Sequence, residues 1–192
     1  MRKKIISVVC FLLAVFVSHG IAADSTPFFF LQLSDPQFGF MDNNKSISAE
    51  TEAMNKAVTA INQLKPPFVV ITGDFVNNSK SKEQIAAYKS MIAQIDSSVK
   101  VYMIPGNHDI GKVSRASIDN YKKNYGETHF SFRYGDCAFI GIDSNIIKEE
   151  DKEREEVQFK WLEQELLFAY AREICAFVSE IWSKRNICGA FT

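Results

Sequence analysis

The 192-residue chain has little histidine, an awkward number of cysteines and no concentrated positive charge. Its three histidines stand at 19, 108 and 129, so nothing after His129 can supply an imidazole. Of the four cysteines, Cys10 lies in the N-terminal segment; Cys137, Cys175 and Cys188 are an odd set that cannot pair completely within one chain. Cys137 sits in an apolar strand pattern and reads as a small core residue rather than a redox group. The 22 Lys and Arg nearly cancel the 23 Asp and Glu, and no basic run is interleaved with aromatics, so nucleic acid is not the default partner. What remains, 46% hydrophobic and 23% charged, is ordinary soluble composition, enough for one well-buried domain and short for two.

The N-terminus departs from that composition. Arg2, Lys3 and Lys4 precede thirteen uncharged residues, 5–17, and then Ser18-His19-Gly20-Ile21-Ala22-Ala23. A basic start, an apolar stretch and a small-residue exit indicate a signal peptide over 1–23, and hence an exported protein, periplasmic or secreted, free of membrane after cleavage. The rival is an uncleaved anchor, because 5–23 is nineteen residues and almost spans a bilayer. Serine, histidine and glycine weaken its second half, and cleavage is the better reading. The mature chain would carry 19 bases against 23 acids, a net charge of −4.

Beyond the leader, apolar runs alternate with helical patterns. Residues 28–33 read as a fully buried strand, and 49–64 as a helix with Ala53, Ala57, Ala60, Ile61 and Leu64 on one side. Residues 68–71 form a second strand, a helix opens at Ser81 with Ile85, Tyr88, Ile92 and Ile95 at helical spacing, and 101–104 form a third strand. From Thr128 the period becomes two, with a hairpin turn at Gly135-Asp136. Strand–helix–strand repetition means parallel strands joined by right-handed crossovers, and ligands of such α/β sheets bind beyond the carboxyl ends of the strands. "FFFLQLSDPQFG", "VVITGDFVNN" and "VYMIPGNHDIG" each run an apolar strand into metal-competent side chains: Asp35 and Gln37, Asp74, then Asn107, His108 and Asp109. The steps of 39 and 33 residues from Asp35 to Asp74 to Asn107 each fit one β–α repeat and place these groups at one rim. Carboxylates brought together repel unless a cation sits between them, and oxygen donors suit Mn, Mg, Fe or Zn.

"GDFVNN" and "PGNHD" resemble the G-D-x-x-[DN] and G-N-H-[DE] blocks of the calcineurin-like metallophosphoesterases, and "LSDPQFG" is similar to the D-x-H block of a subgroup that reads S-D-P-Q-F-G. The resemblance covers residues 28 to about 167 and implies an αββα sandwich: two β-sheet layers flanked by helices, here incomplete at the C-terminus. It implies two divalent ions, with Asp74 bridging, Asp35 and Gln37 on one side and Asn107 on the other. A phosphate monoester or diester would be the substrate. His108 would donate a proton to the leaving oxygen. Asn77, where relatives often carry a carboxylate, can fix the geometry of His108 without adding charge.

Two departures qualify these implications. Gln37 replaces the usual histidine, and the histidines of the family's downstream G-H-x-H block are missing. His129 matches no ligand position and reads as a satisfied surface or core residue. Tyr125 and Phe130 are candidate pocket aromatics, although core positions are commoner for such residues. Residues 155–184 contain neither Gly nor Pro, and Tyr170, Ile174, Phe177, Val178 and Ile181 keep helical spacing. The expectation is an N-terminal part of the phosphoesterase domain over 24–167, followed by an atypical helical tail over 168–192, as in a truncated or frame-shifted product. The alternative is a short variant whose last helix covers the sheet edge. Two other functional readings compete with a phosphoesterase. One is a non-catalytic metal- or phosphate-binding remnant of the same fold. The other is a carboxylate-pair glycosidase using Asp35 and Asp74, which ranks last because Gly-Asn-His-Asp has no role in it.

Overall fold

The computed structural model describes residues 26–168 and the strand Glu173–Val178. The expected signal peptide, Cys188 and most of the 168–192 tail lie outside the described residues. One sheet contains β1 (Leu31–Leu33), β2 (Phe68–Thr72) and β3 (Lys100–Ile104), all parallel and in that order. A second contains β4 (Phe130–Tyr134), β5 (Cys137–Ile142) and β6 (Glu173–Val178), with β4 antiparallel and β6 parallel to β5. The helices are α1 (Ser48–Leu64), α2 (Lys82–Ile92), α3 (Asn107–Ile110), α4 (Arg115–Tyr125), α5 (Ser144–Lys148) and α6 (Lys152–Phe168).

Why the strands form follows from burial on both faces. Every residue of β2 is buried. Because side chains alternate along a strand, Val69 and Ile71 join the core under the helices, while Phe68 and Val70 enter the layer between the sheets. That second layer is aromatic: Phe68 packs edge-on to Phe132 and Phe139 with ring centroids 4.9 and 4.8 Å away, and Phe30 stacks on Phe68 at 5.1 Å. On the other face, Met54, Val58 and Ile61 of α1, Tyr88 of α2 and Tyr121 of α4 cover the first sheet. The result is the α/β sandwich of two sheet layers flanked by helices. Cys137 packs against the inter-sheet cluster as a small core residue.

Three expectations are corrected. The first strand pairs only over Leu31–Leu33 and is half-buried, because it has one neighbour in the sheet; Phe29 is 50% exposed. The buried side of α1 is Met54–Val58–Ile61 rather than the alanine face, and Leu64 is 54% exposed; alanine methyls bury too little area to direct the helix inward. Within the stretch read as helical, Glu173–Val178 is a strand in register with β5, Cys137 opposite Glu173. A continuous apolar run satisfies both periods, so spacing alone could not separate strand from helix. Tyr125 and Phe130 take the commoner reading and are core residues: Tyr125 lies 5.1 Å from Phe75 and Phe130 lies 5.3 Å from Tyr102.

Gly141 on β5 sets how closely the sheets approach. A Cβ there would lie 2.6 Å from Phe130 and 2.8 Å from Ile104, its neighbours within and across the layers. Gly141→Val should therefore lower the unfolding free energy by about 1–3 kcal/mol, the usual cost of overpacking. Urea unfolding measures it, and an unchanged midpoint would show that the layer is loose there.

Just past β5, Asp143 caps α5 by accepting from the Asn145 N–H at 3.0 Å, and Gln158 of α6 clasps its backbone at 2.9 and 3.0 Å. Its second carboxyl oxygen is buried without a partner, and burial pushes its pKa up to about 6. An unfolded aspartate titrates near 4, so the folded state holds this proton more tightly. The resulting stabilisation is complete below about pH 4 and is lost as pH rises through about 6. Asp143→Asn should flatten the stability profile across that window, by an amount on the order of 3 kcal/mol. Equal slopes for both proteins in urea titrations at stepped pH would contradict this.

Candidate metal centre

The loops that follow β1, β2 and β3 converge at the carboxyl end of the first sheet. The loop after β1 is laid along the loop after β2 by a ladder of backbone bonds. Asp35 N–H donates to Gly73 O at 3.3 Å, Gln37 N–H to Asp74 O at 2.8 Å, and Phe38 N–H to Phe75 O at 3.1 Å. Asp35, Gln37 and Asp74 all hold left-handed backbone angles, with φ of 53, 32 and 46°. Non-glycine residues adopt such angles at a cost of about 1–3 kcal/mol each and keep them only where the surroundings enforce them. Three candidate ligands thus share strained backbone at one rim. Gly106 is forced by the same crowding, since a Cβ there would stand 2.1 Å from the Asp74 carboxylate.

The third loop is tied to the second by two carboxylates. Asp74 Oδ1 accepts from the His108 backbone N–H at 2.8 Å. Asp109, 1% exposed, accepts from Phe75 N–H at 2.8 Å and Val76 N–H at 3.3 Å through one oxygen, and from Gly106 N–H at 2.9 Å through the other. Burial pushes Asp109 up to about 8, with the charge of Asp74 adding to it and the three amide donors opposing. Asp74 is also raised, mainly by burial and further by Asp35, while His108 and Lys148 pull it down.

His108 is oriented by main chain. Its Nδ1 lies 2.9 Å from the backbone carbonyl of Asn77. A carbonyl only accepts, so the ring proton sits on Nδ1 and Nε2 is the atom left to act. The Asn77 side chain turns elsewhere: it donates to Asn44 at 2.9 Å and accepts from Gln37 Nε2 at 3.4 Å. The expected geometric role of Asn77 therefore falls to its backbone. Ser34 donates to the Asp35 carboxylate from the neighbouring position. His129 packs its ring 4.3 Å from Trp161, and burial lowers its pKa.

Sequence reasoning left Asp109 without a role and overlooked Asn145. The Asn145 amide donates to the carbonyls of Pro105 and Gly106, both at 3.3 Å, and so anchors the third loop from behind. A signal was present, because "FIGIDSN" is a fourth apolar run ending in Asp. The donor set of Asp35, Asp74 and the amide oxygens of Gln37 and Asn107 suits a hard divalent cation, and a cation there would offset the burial and repulsion that raise Asp74. Among the described residues, however, no group of three or more His, Cys, Asp and Glu is placed to hold a metal.

The profile of a family described as calcineurin-like phosphoesterase matches residues 30–177, a stretch that takes in every strand including most of β6. Serine/threonine-protein phosphatase CPPED1 of Pongo abelii is 31% identical over 164 residues, covering 76% of this chain and 52% of the relative. A probable glycerophosphodiester phosphodiesterase GpdQ of Arcobacter nitrofigilis is 30% identical over 119 residues, 60% of this chain and 42% of that protein. The chain thus spans about half the length of the curated relatives it matches. Among solved structures, purple acid phosphatase PPD1 of yellow lupin superposes with a TM-score of 0.50 at 14% identity, covering 72% of this chain and 27% of that one, a likeness of fold. With that profile running through the strands and through each loop of the rim, the chain belongs to the calcineurin-like phosphoesterase family.

Proposed function

We propose that this rim is a phosphoesterase site that holds two divalent ions and hydrolyses phosphate monoesters or diesters. The observation that carries the reading is the convergence of strained Asp35, Gln37 and Asp74 with His108 on loops stapled together by Asp109. Asp35, Gln37, Asp74 and Asn107 would hold the ions. Metal at such a position supplies charge to neutralise phosphoryl oxygens and lowers the pKa of water. The chain's own residues then orient the reaction. Asp74 fixes the start of α3 through the His108 N–H, and the Asn77 carbonyl turns the imidazole so that Nε2 faces outward. With the ring doubly protonated, the Nε2 proton can pass to the leaving oxygen while the Nδ1 proton stays directed at the Asn77 carbonyl. The CPPED1 and GpdQ relatives, named as a protein phosphatase and a phosphodiesterase, support a phosphate-ester substrate. We further propose that the protein is exported, on the strength of the basic and apolar pattern in residues 1–23.

A second reading has its own support. With two carboxylates and no group of three His, Cys, Asp and Glu among the described residues, the site would hold metal weakly and act as a binding remnant rather than a fast enzyme. Calorimetric titration with Mn²⁺ separates the two. Uptake of two ions in the micromolar range or tighter is expected of the phosphoesterase site, and binding well above that range of the remnant. Tight uptake of two ions would show that further residues complete the shell.

Substitutions test the roles. Asp74→Asn should abolish metal-dependent hydrolysis of an aryl phosphate. His108→Ala should lower kcat by about 10²–10⁴-fold while metal content is retained, as for a lost acid–base group. Asn107→Ala should lower metal occupancy instead. Equal metal loss in the last two variants, by elemental analysis after dialysis, would mean that His108 is a ligand and not a proton donor.

A further inference from the structure

A cavity of about 950 Å³ opens between α2 and α4, lined by segments that directly follow two loops of the candidate site. One wall begins with Ser79 and Lys80, just past Asn77; the other begins with Ile110 and Gly111, just past His108. Asn120 of α4 donates to the Ser79 carbonyl at 3.5 Å and ties the two walls together. Lys80, Lys82, Lys89, Lys112 and Lys123 line this groove, and no Asp or Glu does. All five are exposed, and among the described residues none stands within ion-pair distance of a carboxylate. In a chain whose 22 bases and 23 acids nearly cancel, five unneutralised lysines around one groove create a local positive field.

We propose that this groove docks an acidic, partly apolar peptide segment and leads it toward His108; the direction, though not the docking, rests on the phosphoesterase reading. Charge complementarity selects the anion. The lining selects the class. Ile85, Ala86, Ile110 and Ala116 give the floor an apolar surface on which peptide side chains can settle. No aromatic residue lines the groove, so it has no platform on which nucleic-acid bases could stack. A bilayer surface needs apolar anchors that protrude, whereas this surface is concave and its apolar residues lie inside. An extended peptide can place carboxylates against the lysine rim and apolar side chains against the floor at once.

The test uses the full chain and a fluorescent, unphosphorylated peptide that alternates Glu or Asp with Leu, beside an isomer carrying Gln and Asn in place of the acids. The acidic peptide should bind by anisotropy, and binding should weaken as salt rises from about 0.05 to about 0.3 M. Lys80→Glu/Lys112→Glu/Lys123→Glu should weaken it by about tenfold or more, and the matching triple glutamine variant by less. Lys56→Glu/Lys160→Glu, on exposed helix positions away from the groove, should leave it unchanged. Equal binding of the neutral isomer would overturn the proposal. So would an unaltered affinity in both triple variants, or preferential uptake of a single-stranded oligonucleotide or of vesicles containing phosphatidylserine. Anisotropy needs neither metal nor turnover, so a chain inactive on aryl phosphate can still dock the peptide, and failure of docking leaves aryl phosphate hydrolysis untouched.

Discussion

The rim depends on one buried carboxylate. Asp109 gathers the amides of Phe75, Val76 and Gly106, two from the loop after β2 and one from the turn after β3. Those amides have no neighbouring strand to satisfy them, since both strands have ended. A buried amide left unpaired costs about 1–3 kcal/mol, so the carboxylate removes a penalty that would otherwise push the two loops apart. It also fixes the separation of Asp74 from His108, because the residues it holds flank both. The side chain that never faces the ligand thus decides whether those that do can meet.

Strain at the rim and order in the layers beneath it are connected. Asp35, Gln37 and Asp74 could relax from their left-handed angles if the loops were free to move. They are not free, because the ladder from Asp35 to Asn77 continues the parallel sheet outward to the bridge between Phe38 and Val76. Phe38, Phe75 and Val76 are fully buried in the helix-covered core, so each side chain is a peg below a loop that carries ligands above. The core therefore positions the site through residues directly adjacent to it in sequence.

The positions of Asp35, Asp74 and Asn107 could be read from sequence because each follows an apolar run of strand length, and one β–α repeat separates each from the next. The role of Asp109 could not, since its partners are backbone amides and backbone leaves no signature in side-chain pattern. Asn145 escaped for a different reason: its strand belongs to the hairpin sheet, where period-two alternation drew notice to pairing rather than to the strand's end. The helix α4 was missed although Ile118, Tyr121 and Tyr125 keep helical spacing and pack into the core, because three apolar residues among polar ones make a narrow stripe that is easily read as loop. Misreading of β6 followed from the opposite excess, an apolar run too continuous to show any period. The lysine groove draws on residues 80 to 123 in five separate places, so it has charge in space but none as a run.

The carbonyl that steers His108 has a consequence for how the site could be altered. Where a side chain orients an imidazole, residue identity at that position is part of the catalytic specification. At position 77 the steering atom belongs to the main chain, which every amino acid possesses. The orientation of the ring is thus stored in the path of the polypeptide, and the side chain at 77 is released for another task. Here it bridges Asn44 and Gln37, the one amide among the candidate ligands on the first loop. Position 77 consequently separates two kinds of information: its backbone sets the orientation of the His108 ring, and its side chain holds the Gln37 amide.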